Sequence, residues 1–278
     1  MHELRPQFPL EVLLKAAELA RSVYYYHQPA QGVVDKYAEV KERIRAIFDE
    51  HHGRYGYRRI TAALRHLGET INHKTVQRLM GELGLKSLVR PKKYHSYKGE
   101  IGETAPNVLE RDFEAEAPNQ KWATDVTEIK VGDEKLYLSP MLDLYNREII
   151  AFSMNRRPVF ELVQSMLDKA LATLLPHEKP VMHSDQGWHY RMPYYKAALR
   201  ERGVVQSMSR KGNCHDNAAM ESFFGVLKTE LIHGRKFKSI EELEATLTEY
   251  IRYYNNDRIK LKLNGLSPVQ YRTQAMGA

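Results

Sequence analysis

The chain has 278 residues, 42% of them hydrophobic, enough for one large domain or two of ordinary size and too many for wholesale disorder. Its formal charge of +7 points to a polyanionic partner. The single cysteine, Cys214, excludes a disulfide framework and a thiolate zinc site. No run approaches the ~18 apolar residues of a membrane span. The first residues lack a secretory layout, so a cytoplasmic protein with no membrane partner is expected.

The charge is uneven. Residues 51–100 hold 11 Lys/Arg against 3 Asp/Glu, and residues 101–150 hold 5 against 11. A basic block followed by an acidic one fits a polyanion-binding module joined to a cation-binding one.

In chain order, residues 10–28 have helical periodicity, with Leu10, Leu13, Leu14, Ala17 and Val23 available to one face. Residues 35–50 form a second, charged helix. Two short helices follow. The first, Tyr57–His66, offers Ile60, Ala63, Leu64 and Leu67 to a core and stops at Gly68. Asn72 is a natural N-cap for the second, His73–Leu83, whose apolar stripe is Val76, Leu79, Met80 and Leu83. Helix, short glycine-containing turn, helix is the helix-turn-helix layout. Lys74, Thr75, Gln77 and Arg78 leave the second helix away from that stripe, where base edges and phosphates would lie, and Arg54, Arg58 and Arg59 flank the first. A solvated helical pair in a larger bundle is the alternative. Residues 87–118 read as a linker, in which Lys92 and Lys93 stand beside Tyr94 and Tyr97. Such a tether suits a phosphate backbone, and equally a plain solvated connection.

From Lys121 the pattern turns to strands. KWATDVTEIKV, EKLYLSPMLDL and REIIAFSM are three β-rich runs, the first two joined at Gly132-Asp133. A helix over Phe160–Leu174, a strand in KPVMHSD, a helix over Met192–Glu201, a strand over Val204–Ser209 and a last helix over Asp216–Leu231 follow. This order implies an α/β fold, a mixed five-stranded sheet flanked by helices and preceded by an all-α region.

Three carboxylates stand out. Asp125 interrupts the first, otherwise apolar strand, where a carboxylate is costly to desolvate. Asp185 ends the fourth strand, and strand ends are where ligands sit in open α/β sheets. Glu221 lies in the last helix, far enough along the chain to return beside the other two. Three converging carboxylates repel unless a cation is present, and hard oxygen donors suit magnesium or manganese. Asp143 is a rival at the end of the second strand, and Asp216 or Glu230 could replace Glu221. At helical spacing Asn217, Glu221 and Lys228 share one face with Phe224 and Gly225, while Phe223, Val226 and Leu227 make an apolar one. Cys214-His215 invites a thiol-protease reading, but adjacent residues do not readily align as nucleophile and base. His183 and His189 near Asp185 are read as satisfying local hydrogen bonds.

WATDVTEI, HSDQGWHY and the run from Asn213 to Phe224 resemble the DDE transposases of bacterial insertion sequences, in the copy-out–paste-in group related to retroviral integrases. HHGRYGYRRIT with INHKTVQRLM resembles that group's second helix-turn-helix, and YYNNDRIKLKLNGLSPVQYR its C-terminal signature, which here reads Arg258-Ile259-Lys260 where Arg-Pro-His is commoner. The resemblance implies an RNase H-like fold with Asp125, Asp185 and Glu221 as the catalytic, metal-holding triad, magnesium as cofactor with manganese as a substitute, and Lys228 as a contact to the DNA end. It implies metal-dependent cleavage and strand transfer at terminal inverted repeats by direct transesterification. Implied partners are double-stranded DNA (element ends and target), other copies of the chain on that DNA, and an upstream reading-frame product joined as a fusion; the chain starts at Met1 without that part's helix-turn-helix and leucine zipper. DNA contacts are expected from Arg54, Arg58, Arg59, Lys74, Thr75, Gln77, Arg78, Lys92, Lys93, Asn217 and Lys228. The expected organisation is a helical region over 1–50, a helix-turn-helix over 51–86, the linker over 87–118, the catalytic core over 119–235 and a helical tail over 236–278. The alternative activity is that of a non-catalytic regulator occupying the element's ends.

Overall fold

The computed structural model describes residues 4–27, 35–88, 105–210 and 214–276, so Lys92 and Lys93 lie outside it. The chain packs as two units, Met1–Arg43 and Ile44–Ala278. In the first, the helix expected over 10–28 is two, α1 (Leu10–Ala16) and α2 (Arg21–His27). Glu18 takes a left-handed φ of 52° between them, which a continuing right-handed helix does not allow. Leu10, Leu14 and Tyr24 cluster, while Val23 is left 40% exposed. α3 (Ala38–Glu50) crosses the division and buries Ile44 and Ile47.

The second unit opens with the helix-turn-helix, α4 (Tyr57–His66) and α5 (His73–Glu82). Ile60, Leu64, Val76, Leu79 and Met80 are buried between and beneath them. Asn72 caps α5 as expected, its side chain accepting the Lys74 amide at 2.9 Å. Leu67 departs from the expected stripe: α4 ends at His66, so Leu67 leaves the helical face and is 64% exposed.

The first β-rich run folds as two strands, β1 (Lys121–Thr124) and β2 (Thr127–Val131), with a break at Asp125-Val126. Both pair antiparallel with the same side of β3 (Glu134–Asp143), and β4 (Ile149–Asn155) pairs with its other side. β5 (Val181–Ser184) runs parallel to β1, and β6 (Val205–Met208) parallel to β5. The sheet therefore counts six strands in the five positions expected. The break has a local cause, because the Asp125 carboxylate accepts the Val126 amide at 2.8 Å, a bond that competes with the ladder. Gly132, at φ 59°, makes the two-residue turn between β2 and β3.

Alternate side chains feed two cores. Ala123, Leu136, Leu138 and Leu142 pack with α8 (Ala218–Leu227) and α9 (Ile240–Asn256). Trp122, Met141, Met182 and Met208 pack with α6 (Phe160–Ala172) and α7 (Pro193–Glu201). This is the period of two that a sheet buried on both faces requires. Burying one side chain of this size contributes roughly 1.5–3 kcal/mol.

Two segments read as a linker and a tail pack against the sheet and its core. Residues 105–118 hug the sheet edge, with the Val108 and Leu109 amides donating to Ser207 Oγ at 3.0 and 3.1 Å and Leu109 only 3% exposed. The 236–278 segment is no appendage either: α9 sends Leu243, Leu247, Tyr250, Ile251 and Tyr254 into the first core, before α10 (Pro268–Met276) closes the chain.

Candidate active site

The register places Asp125 and Asp185. Parallel pairing of Trp122 with Met182 and Ala123 with His183 carries both strands forward together, so each aspartate follows the last residue of its strand at the same level of the sheet. Asp125 is half-buried and Asp185 exposed. Asp185 Oδ1 accepts the Gly187 amide at 2.9 Å, and a Cβ at Gly187 would stand 2.9 Å from that same oxygen. A side chain there would displace the carboxylate.

Glu221 arrives on α8. The start of this helix is tied to the sheet by Asn217, whose Nδ2 donates to the Thr124 carbonyl at 3.3 Å, one residue before Asp125. Ala219, Met220, Phe223, Phe224 and Leu227 face the core, and Glu221 stays exposed. Phe224 thus joins the apolar face, not the Glu221 face, because that core reaches round the helix. After Leu227 the helix widens into a π turn over Lys228–Ile232.

The charges converge on Asp125. Burial pushes its carboxyl up, and the negative charges of Asp185 and Glu221 push it further, while the Val126 amide and Lys228 pull it back. The protein packed around the Asp185 carboxyl strips it of enough water to raise it, although the residue reaches the surface, against the Gly187 amide, His189 and Arg191. Among the described residues, no group of three His, Cys, Asp or Glu side chains stands close enough to hold one ion. The aspartates' Oδ1 atoms are instead taken by backbone amides.

The rival carboxylates are otherwise occupied. Asp143 pairs with Trp122, at the far end of β1 from Asp125, and accepts the Asn119 and Tyr145 amides at 2.8 and 2.9 Å. Burial pushes it up to about 6. Asp216 is fully buried against Arg210 and Arg111, at 2.9 and 2.8 Å, and its carboxyl is held far below the usual range, first by the Arg210 hydrogen bond. Glu230 is buried against Arg258 Nε at 2.8 Å, with Arg59 at 3.6 Å and the Tyr250 hydroxyl at 2.9 Å. His183 bridges Ser207 and Ser209 at 2.9 and 3.1 Å, with burial lowering it to about 4, and His189 reaches the Pro158 carbonyl. Both histidines serve local hydrogen bonds, as expected.

Of the residues expected on DNA, Lys74, Gln77 and Arg78 are exposed on α5 and Thr75 half-exposed; Arg78 pairs with Glu82 one turn on. Arg58 is exposed as well. Arg54 and Arg59 turn inward. Arg54 is 8% exposed, with its guanidinium 4.6 Å from the centre of the Tyr253 ring, and Arg59 Nη1 donates to the Arg54 carbonyl. Cationic side chains next to buried tyrosine faces gain cation–π contact there that solvent does not offer. Asn217 is also buried, at 5% exposure, and its polar group faces Thr124. Lys228 is half-buried.

Strand order, paired aspartates and a returning helix define an integrase-type catalytic core, here carrying a helix-turn-helix. Residues 115–214 match the model of the integrase core domain, residues 221–276 a second integrase core model, and residues 36–93 an HTH-like domain. The InsK protein of insertion sequence element IS150 from Escherichia coli K12 is 57% identical over 274 residues, covering 99% of this chain and 97% of that one. Transposase InsF of insertion sequence IS3A from the same organism is 34% identical over 274 residues, covering 96% and 95%. Among solved structures, the HTLV-2 integrase catalytic core domain in complex with magnesium is similar at a TM-score of 0.45 and 17% identity, covering 56% of this chain and 98% of that one. The chain belongs to the insertion-sequence transposases with an integrase core.

Proposed function

We propose that the chain cuts the ends of its insertion sequence and joins them to target DNA by direct transesterification, with Asp125, Asp185 and Glu221 as the catalytic carboxylates. The observation that carries this reading is the level placement of Asp125 and Asp185 on adjacent parallel strands, with the Glu221 charge acting on Asp125. The charges of Asp185 and Glu221 act on Asp125, which suits a hard divalent cation. The three side chains as they stand are not close enough to hold one ion, and Glu221 would have to draw in. Magnesium, or manganese in its place, held by these three would activate the attacking hydroxyl and stabilise the leaving oxygen. Asn217 holds the start of α8 against β1 and so positions Glu221. Lys228 follows Glu221 by about two helical turns, roughly 10 Å along the axis, beyond a shared ion and within reach of a phosphate of the held end. An ammonium neutralises phosphate but donates no lone pair to a metal. The exposed face of α5 carries Lys74, Gln77 and Arg78 to duplex DNA.

The test is nicking and joining of terminal-repeat DNA with magnesium or manganese. Asp125→Asn, Asp185→Asn and Glu221→Gln each remove a charged ligand and preserve shape, so each abolishes both reactions and keeps DNA binding. Lys228→Ala weakens cleavage and leaves the magnesium midpoint in place. Full activity in EDTA, or in any of the three carboxylate variants, sinks the assignment.

A further inference from the structure

Away from the carboxylates, a groove of about 620 Å³ opens between the start of α4 and the outer side of α8 with its π turn. Arg54, Arg58, Arg59 and Arg258 line it against one carboxylate, Glu230, which Arg258 and Arg59 already engage. The positive charge there is in excess. Two of these guanidinium groups are incomplete: Arg54 Nε and Arg59 Nε are buried without a hydrogen-bond partner, and Arg54 as a whole is 8% exposed. A buried N–H with no acceptor carries a penalty that an incoming anion would relieve. The groove also receives the N-terminus of α4, a helix of 10 residues whose N-cap, Gly56, makes no side-chain cap bond and whose first turn has no acidic residue. Its unpaired amides and the positive end of its dipole favour an anion at that point. On the opposite wall stands Ser222, next in sequence to Glu221.

We propose that this groove seats a backbone phosphate of bound DNA, held by Arg54, Arg59 and the start of α4, so that the duplex spans from the helix-turn-helix to the α8 face beside Glu221. Guanidinium forks match phosphate oxygens in pairs, which a compact ammonium does not. At about 620 Å³ the groove is larger than one tetrahedral anion, and its two walls belong to the elements proposed for DNA binding and for cleavage. The inference rests on the DNA reading above and adds a specific seat to it.

The experiment titrates a nonspecific DNA duplex onto the full chain across a range of salt concentrations, with melting curves to confirm folding. Arg54→Gln removes the buried charge. Leu261, 49% exposed at the groove's edge, tolerates Leu261→Glu and Leu261→Lys without disturbing the interior. Each phosphate contact contributes about −0.9 to the slope of log affinity against log salt. Arg54→Gln and Leu261→Glu should each flatten the slope by about one unit, and Leu261→Lys should steepen it. If Arg54→Gln fails to fold, the opposite signs of the Leu261 pair decide. Wild-type binding with unchanged slopes in every folded variant overturns the seat alone, whereas a wild-type chain that ignores duplex DNA overturns the DNA reading itself. Inorganic phosphate, compared with chloride at equal ionic strength, separates the remaining source. Phosphate-specific stabilisation with unchanged DNA slopes assigns the groove to a free anion and overturns the proposal.

Discussion

At the ends of β1 and β5, the charges of Asp185 and Glu221 bear on Asp125, and Lys228 offsets them only in part; around Glu230, cations gather about a single carboxylate inside a shell of tyrosines. The first region leaves Asp185 and Glu221 exposed, and burial and like charge drive the Asp125 carboxyl up. In the second, burial alone would raise Glu230, but Arg258 and then Arg59 hold it below its usual value. One cluster drives its central carboxyl up at an open strand end, where an external cation could draw it back down. The other pairs its one carboxylate internally, keeps a surplus of cations, and fastens the helix-turn-helix to α9 and the residues after it. Clustered charge alone does not mark chemistry; what separates the two is that burial and like charge raise the carboxyl at Asp125, whereas guanidinium partners hold it down at Glu230.

Glu230→Gln strikes the second region hardest. It leaves Arg258, with a side chain 3% exposed, charged and without its carboxylate. Breaking a buried pair in this way costs about 3–5 kcal/mol. Chemical denaturation should register that loss, whereas Glu221→Gln should leave stability near wild type. Equal losses in the two variants would erase the distinction between the regions.

Asp143→Asn is a smaller perturbation that sharpens the first region. An amide cannot accept from both the Asn119 and Tyr145 amides through two oxygens, so about 1–2 kcal/mol is lost. Nicking per folded molecule should be unchanged, because Asp143 lies at the wrong end of β1. Loss of nicking in a folded Asp143→Asn chain would move the catalytic site.

Lys260 gives an effect of a different kind, one that depends on pH. Burial first, then Arg258, Arg147 and Arg59, lowers its ammonium to about 6. Between that value and the ordinary lysine value, the unfolded chain holds a proton that the folded chain lacks, so stability rises with pH across this window. Lys260→Met should therefore melt higher than wild type near about pH 7, with the gap narrowing by about pH 9. A gap independent of pH would mean that Lys260 stays charged in the fold.

The placement of the two aspartates was legible because its signals are local. Asp125 interrupts an apolar run, Asp185 ends another, and the period-two pattern names the strands. The break after Asp125 was not legible, since it depends on a carboxylate closing onto the next amide. The junction was hidden for a different reason. Tyr55 and Asp257, or Arg59 and Glu230, meet only through tertiary packing, and no periodicity reports a contact at such separation. Arg54 and Arg59 therefore read as outward-facing cations beside a helix-turn-helix. The tyrosine-rich run Tyr250, Tyr253 and Tyr254 was the available signal, because buried rings near a lone Glu230 invite guanidinium partners. Asn217 misled similarly: it was read as sharing a helical face with Glu221, but it stands at the N-cap of α8. There it is 5% exposed and turns toward Thr124, while Glu221 stays exposed.

The Tyr55 hydroxyl donates to the Asp257 carbonyl at 3.1 Å and accepts the Ile259 amide at 2.8 Å. One oxygen near the front of the second unit is thus completed only by main chain from its last quarter. During synthesis, a chain that has not yet passed residue 259 cannot make these two bonds, however well its helix-turn-helix has formed. The docking of that module onto the core is consequently a late event on the ribosome, set by how much of the chain has emerged.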